Sequence, residues 1–366
     1  MRANHSDDAD AGPQVQTMPL LVRVPEVFAP LLPEILGALD SGKPKRFGKE
    51  YFLVQGDPES LRASEVGKFV SWCLPVEHGW PCRPENMDGF IEKAAQGLVK
   101  KFGGLQPQAI LVGQLDPSGP TRYFKTLASN LRGRVLQVFP APADGWKGVE
   151  EQDPSQSTLF CLVGKEGLYC GMVSPREANG FYPGGTKYIR QTGEETISRA
   201  GAKIAEALHF LRLYQPELPA GSKWLELGAS PGGMTSELLK RGYQVTAVDR
   251  AALDQRLDGA KGLEFTRGDV ATFTPKKGAR FDALLSDMNG DPQEAMRNAA
   301  RLSASLRTGG LVVFTLKTTS VDSFSGINAL DHAVTALAAK SKLSLLAKTH
   351  LTYNRQEFTL FFRKEG

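Results

Sequence analysis

Residues 224–239 read WLELGASPGGMTSELL: an apolar strand, a glycine-rich turn, and the first turns of an amphipathic helix. A turn of this kind, at the carboxyl end of a parallel strand, directs backbone N–H groups and a helix N-terminus toward a ligand. The spacing from Gly228 to Gly232 and Gly233 is G-x-x-x-G-G. It lacks the G-x-G-x-x-G of dinucleotide sites and the Gly-Lys-Ser/Thr of triphosphate loops, so NAD and ATP are poor candidates.

Working outward, a helical pattern at 197–214 (ISRAGAKIAEALHFLRLY) precedes the strand, and YQVTAVD, LEFTRGD, FDALLSD and GLVVFTLK follow as strands. Helical segments PQEAMRNAARLSASLRTG and INALDHAVTALAAK separate the later ones, and KLSLLAKTHL and EFTLFFRKE close the chain. Strands separated by helices predict a mostly parallel, doubly wound α/β sheet, because parallel neighbours need crossover connections. The last two strands have no helix between them. They are expected to pair antiparallel at one edge through a turn around Tyr353 and Asn354.

Strand ends also carry the candidate ligand groups. Asp249 lies 21 residues after Gly228, where a carboxylate can accept from both hydroxyls of a ribose, and Asp269 in RGDV can receive an adenine amino group. A nucleoside bearing an amino acid instead of phosphates fits this set, which points to S-adenosylmethionine. The candidate cofactor residues are Glu226, Gly228, Ala229, Ser230, Pro231, Gly232, Gly233, Asp249, Asp269 and Asp287. The alternative is an ordinary tight βα turn with surface aspartates.

Four ionisable groups, Asp287 again among them, stand at helix or strand positions beside the same turn. Lys203 lies in the preceding helix, Asp287 in LLSDMNGD, Lys317 in VVFTLKTT and Glu357 in NRQEFTLFF. With these residues the chain resembles the FtsJ-type ribose 2′-O-methyltransferases, which share a Lys-Asp-Lys-Glu tetrad. The resemblance implies a Rossmann-like methyltransferase domain with a seven-stranded sheet and an antiparallel last strand. It also implies that Lys317 deprotonates or orients a ribose hydroxyl, that Asp287 and Glu357 position it, and that Lys203 helps hold the acceptor. A ribose hydroxyl is a weak nucleophile and needs such help. A lysine can take its proton only when neutral. The second cation should lower the pKa of Lys317 and the carboxylates oppose that shift. No Pro-Pro-aromatic motif or Pro-Cys nucleophile of base methyltransferases is present.

From about Leu159 onward, through LFCLVGKEGLYCGMV and NGFYPGGTKYIR, the chain is most similar to the RlmM family. That family methylates a cytidine ribose of large-subunit ribosomal RNA and carries a THUMP RNA-binding domain ahead of its catalytic domain. The implied organisation is a disordered tail at 1–17, an α/β THUMP-like RNA-binding region at 18–190 with a possible break near 56–70, and a methyltransferase domain at 191–366. Within the middle region, MDGFIEKAAQGLVKKF and TRYFKTLASNLRGR read as helices, QAILVGQ and VLQVF as strands, and STLFCLVG with GLYCGMV as a hairpin.

Charge distribution supports an RNA partner independently. Residues 93–134 hold Lys93, Lys100, Lys101, Arg122, Lys125, Arg132 and Arg134 against Asp116 alone, although the net charge of the whole chain is only +4. Phe181, Tyr182 and Tyr188, beside Lys187 and Arg190, offer faces on which an unpaired base can stack. A solvated basic helix and a packed linker are the plainer alternatives.

The remaining composition narrows the class. The chain has 366 residues, 41% of them hydrophobic and 23% charged, which fits a folded protein of two or three domains. No apolar run approaches the ~18 residues of a spanning helix, and the first residues lack a secretory pattern, so a cytoplasmic protein is expected. Cys73 and Cys82 share a nine-residue offset with Cys161 and Cys170. Zinc ligands usually sit two to four apart, so these read as reduced core thiols and no metal is expected. Two other readings stay open: a methyltransferase of a small-molecule acceptor, and a noncatalytic RNA-binding or ribosome-assembly protein that keeps the fold.

Overall fold

The computed structural model describes residues 17–39, 42–84, 87–117, 122–190, 193 and 196–366. Most of the expected N-terminal tail therefore lies outside the described residues, as do residues 191, 192, 194 and 195 just past the expected boundary at 190. Among the described residues the strands fall into three sheets.

The first sheet takes β1 (Met18–Arg23), β2 (Lys45–Phe47), β3 (Tyr51–Gly56) and β4 (Trp72–Pro75) in the order β2-β3-β1-β4, all antiparallel, with α1 (Leu32–Ala38) and α2 (Pro58–Ala63) in the connections. Leu20, Leu21 and Val22 are consecutive and all buried. Side chains alternate between faces along a strand, so an unbroken apolar run means that both faces are covered. Leu20 and Val22 join the core shared with the C-terminal sheet, and Leu21 joins the core shared with the second sheet. The expected break at 56–70 falls inside this unit, because α2 leads directly into its fourth strand.

The second sheet has the order β5-β8-β7-β6, from β5 (His78–Trp80), β6 (Ala109–Gln114), β7 (Thr158–Gly164) and β8 (Gly167–Val173). Helices α3 (Met87–Phe102) and α4 (Tyr123–Val138) pack together over one face. The segment VLQVF, expected as a strand, continues α4: Leu131 and Val135 lie one turn apart and both enter the helix-sheet core. Cys161 and Cys170 are register partners of β7 and β8, and all four cysteines are free thiols.

The third sheet has the order β11-β10-β9-β12-β13-β15-β14. Its strands are β9 (Lys223–Leu227), β10 (Gln244–Asp249), β11 (Leu263–Arg267), β12 (Phe281–Ser286), β13 (Leu306–Lys317), β14 (Leu343–Thr349) and β15 (Glu357–Lys364). All pairs are parallel except those of β15, which inserts antiparallel between β13 and β14. Glu357 therefore stands on an interior strand, where an edge position was expected. Between strands lie α6 (Ala200–Leu211), α7 (Gly233–Lys240), α8 (Pro292–Leu302) and α9 (Phe324–Lys340); the short α5 (Pro175–Ala178) precedes them. LRTG, expected to end α8, instead begins β13. Arg307, Thr308 and Gly309 are exposed there, and Leu306 pairs with Phe281 across a register shift.

The first unit packs beside α9 on the third sheet: Phe28 stacks on Phe358 at 5.3 Å, and Phe69 meets Phe358 and Phe324 edgewise or tilted. The same junction buries Lys68 against Asp331 at 3.0 Å, with Lys348 also on Asp331 at 2.7 Å. Residues 174–182, leading out of the second sheet, are packed against the third-sheet unit. Phe181 is 2% exposed in the core under α6, and the Arg176 guanidinium donates to the Leu213 carbonyl at 2.6 Å.

Candidate active site

The carboxyl ends of β9, β10 and β12 open into a cleft of about 620 Å³. From the glycine turn, Gly228 and Ser230 line it; Ala229, Pro231, Gly232 and Gly233 are not among the lining residues. Two of these glycines sit close against the protein's own side chains. Gly232 has φ +105°, and a Cβ there would sit 2.3 Å from Leu257 Cδ1; a Cβ on Gly233 would meet Ser198 Oγ at 2.1 Å.

Glu226 is not a lining residue. It is 2% exposed under the turn and accepts from the Thr235 hydroxyl at 2.7 Å, and burial pushes its carboxyl up to about 8. Asp249 and Asp269 do reach the cleft. Asp249 accepts from the N–H groups of Ser230 and Ala251, at 2.9 and 2.8 Å. A carboxylate has about four lone-pair sites, so acceptor capacity remains for two hydroxyls. Asp269 holds the Ala271 N–H and pairs with Arg250 at 2.5 Å. The opposite wall adds Asn289, Asp291, Glu294 and Asn298, which the sequence reading did not single out. A polar cleft of this volume with carboxylates at two successive strand ends fits a nucleoside bearing an amino acid.

Beside the cleft four side chains close into an alternating square of cations and anions. Lys203 Nζ lies 3.2 Å from Asp287 Oδ2 and 2.6 Å from Glu357 Oε1; Lys317 Nζ lies 2.8 Å from Asp287 Oδ1 and 3.1 Å from Glu357 Oε2. The fold supplies each corner separately. Lys317 ends β13 and Glu357 opens β15, and the two are register partners. Asp287 follows β12 and its N–H donates to the Leu227 carbonyl at 3.1 Å, while Lys203 comes down from α6. Side-chain exposure runs from 9% at Glu357 to 16% at Lys317, so the charges interact with little screening by water. Of the square, Asp287 and Lys317 line the cleft.

Two opposing influences act on the Lys317 amine. Burial lowers the affinity of the amine for its proton, but Asp287 and Glu357 together outweigh burial and the net shift is upward. The carboxyl of Glu357 shows the mirror case: burial raises it, the two lysines outweigh that, and it lies below its usual range. The downward shift anticipated for Lys317 from its neighbouring cation is thus overridden in this structure.

The basic residues divide into two groups. Lys100, Lys101, Arg122 and Lys125 are exposed on the α3–α4 helix pair. Arg132 and Arg134 serve the fold: Arg132 donates to the Ile110 carbonyl at 2.9 Å, and Arg134 pairs with Glu92 at 2.8 Å. Tyr182 and Lys187 both bind Glu150, at 2.7 and 2.8 Å, in a cluster that includes Arg212 and His209. Phe181 is buried and offers no stacking face, whereas Tyr188 is 70% exposed and Arg190 is exposed beside it. Among the described residues no group of three or more His, Cys, Asp or Glu is arranged to hold a metal ion, and no helix is long and apolar enough to cross a membrane.

Residues 196–357 match the FtsJ-like methyltransferase family. The matched span runs from just before α6 to the first residue of β15 and contains all four corners of the square. The chain is similar to the ribosomal RNA large subunit methyltransferase M of Halorhodospira halophila, 32% identical over 150 residues, which are 41% of this chain and 42% of that protein. It is also similar to the protein of the same name from Aromatoleum aromaticum, 30% identical over 233 residues, 61% of this chain and 59% of that one. The chain thus spans about half the length of the curated relatives it matches. Among solved structures, Aeropyrum pernix fibrillarin with natively bound S-adenosyl-L-methionine aligns with 60% of this chain and 90% of its own, at 16% identity and a TM-score of 0.35, too slight a likeness to carry an argument.

Proposed function

We propose that this protein is an S-adenosylmethionine-dependent RNA methyltransferase acting on a ribose 2′-hydroxyl, with a cytidine of large-subunit ribosomal RNA as acceptor, in the cytoplasm and without a metal. The observation that carries this reading is the alternating square of Lys203, Asp287, Lys317 and Glu357 at the wall of a cleft suited to a nucleoside.

The bound cofactor supplies an electrophilic methyl group on a sulfonium. This chain's residues do the rest. Asp249 and Asp269 would hold the nucleoside hydroxyls and adenine amine, with Gly228 and Ser230 lining the same cleft. Lys317, the lysine that faces the cleft, meets the acceptor hydroxyl. Lys317, in its neutral form, would take the proton of the acceptor hydroxyl as it attacks. Asp287 and Glu357 fix the direction of that amine, and Lys203 holds both carboxylates from the far corner, so three fixed charges orient the fourth.

The exposed cations of α3 and α4, with Lys100, Lys101, Arg122 and Lys125, are the phosphate-binding surface of a THUMP-like unit in this reading, and Tyr188 with Arg190 extends it along the connector. The deciding experiment incubates the full chain with methyl-labelled cofactor and ribosomal RNA from cells lacking the gene, then maps label by resistance to alkali. Ribose methylation blocks backbone hydrolysis at that linkage. Label on a base, or label entering small molecules and not RNA, refutes the proposal.

A further inference from the structure

The turn between β14 and β15 contributes no corner to the square, yet it adjoins one. Glu206 lies one helical turn beyond Lys203 on α6 and is 3% exposed. Among the described residues no lysine or arginine forms an ion pair with it. Instead, Oε1 accepts the backbone N–H of Thr352 at 3.0 Å and Oε2 that of Tyr353 at 3.1 Å. Two successive amides on one carboxylate fix both the distance and the rotation of the turn relative to α6.

Asn354 comes next in the chain and folds back on the turn. Its Oδ1 accepts from the Leu351 N–H at 2.7 Å and the Thr359 hydroxyl at 3.2 Å. That leaves its Nδ2 to donate to Glu357 Oε1 at 3.3 Å. Helix α6 therefore reaches Glu357 twice, directly through Lys203 and indirectly through Glu206, the turn and Asn354. On its other side the turn grips the connector: the Tyr353 hydroxyl accepts the Ile189 N–H at 2.7 Å and donates to the Ile189 carbonyl at 2.8 Å.

We propose that Glu206 is a positioning residue for the tetrad, clamping the 351–354 turn so that Asn354 aims Glu357 between the two lysines. This deepens the catalytic reading above and rests on it. An apolar residue at 206 could fill the same space but would leave two turn amides without a buried acceptor. The charge matters too, since N–H bonds to a carboxylate are stronger than bonds to a neutral acceptor. The charged and titratable groups around this path are Arg23 near Glu206, Lys203 and Lys317 on Glu357, His350 near Glu357, and Asp287 across from both lysines.

The test is Glu206→Gln in the full chain. The amide keeps the volume but must turn an NH2 toward one of the two turn N–H groups. The expected result is a kcat reduced about tenfold with cofactor Kd changed less than about twofold. The Lys317 side chain, followed by NMR with 13C-labelled lysine, should titrate at lower pH than in the unsubstituted protein, because Glu357 is no longer held against it. That second measurement needs no acceptor, so it decides the proposal even if RNA proves not to be the substrate. Lower stability with an unchanged Lys317 titration and unchanged kcat per folded molecule would reduce Glu206 to a structural residue and overturn the idea. If the variant does not fold, the unsubstituted protein still answers. Burial raises the Glu206 carboxyl, and on its titration the Thr352 and Tyr353 amide resonances and the Lys317 side chain must shift together. Independent shifts refute the link.

Discussion

Lys317 meets the cleft with a carboxylate on each side, and the upward shift of its pKa sets the pH behaviour of the whole site. If the neutral amine takes the proton, its population grows tenfold per pH unit below that pKa. The logarithm of kcat should therefore climb with pH at a slope near one through the neutral range, and a plateau near pH 7 would contradict the assignment. Lys317→Ala should remove at least about a hundredfold of kcat, the scale of a general-base contribution, with cofactor affinity retained. Equilibrium binding beside single-turnover kinetics separates the two. Glu226 supplies a stability test with an unusual sign. Its folded carboxyl lies near 8 against an ordinary 4.5, so between those values the folded state keeps a proton that the unfolded chain has lost. Stability is greatest below the lower value and falls as pH rises through this window, by up to about 1.4 kcal/mol per unit. Urea denaturation at pH 5 and pH 8 should show that fall, and Glu226→Gln should flatten it. At this scale the four corners of the square were legible through the resemblance to FtsJ-type methyltransferases, since a single lysine or acid at a strand end carries no such sign. Glu206 was not legible: one acid in the helical run KIAEALHFL gives no sign that its oxygens meet amides almost 150 residues away in the chain.

At the level of elements, the mostly parallel sheet follows from the alternation of apolar strands and amphipathic helices, but the placement of β15 does not. Antiparallel pairing of the final two strands was readable from the missing helix. Whether the last strand lies outside or inside its partner depends on which face and edge remain open, a tertiary matter. Two boundaries moved for related reasons. VLQVF has strand composition, yet the spacing of Leu131 and Val135 continues the helical stripe that covers the second sheet. LRTG looks helical in isolation but forms the exposed start of β13. Helix α8 tests local logic directly. Asp291 caps it by accepting from the N–H groups of Gln293 and Glu294, and its replacement by Ala should cost about 1 kcal/mol in urea denaturation.

Over the whole molecule, the first unit is wedged between the second sheet and the third, so its two faces belong to two different cores. The sequence showed this only indirectly, in the unbroken Leu20-Leu21-Val22 run, and the possible break near 56–70 lies between two strands of this one sheet. Asp331→Asn tests the junction. It strips the anion from a site holding two lysines, one of them 2% exposed, and should destabilise by about 3 kcal/mol or more. Calorimetry should record the loss in one joint transition of the first unit and the third sheet. On the outer helices, Lys100→Glu with Lys101→Glu should weaken RNA binding and flatten its dependence on salt while leaving cofactor affinity unchanged; filter binding across salt concentrations measures both.

Glu357 and Phe358 are neighbours on one strand and point to opposite sides: the first toward the lysines, the second onto the ring of Phe28. The half of the chain that resembles a methyltransferase is consequently not a portable module. Expressed alone, a fragment lacking the first 75 residues would bare an aromatic surface directly behind a member of the tetrad, and its poor solubility should not be mistaken for a defect in the chemistry.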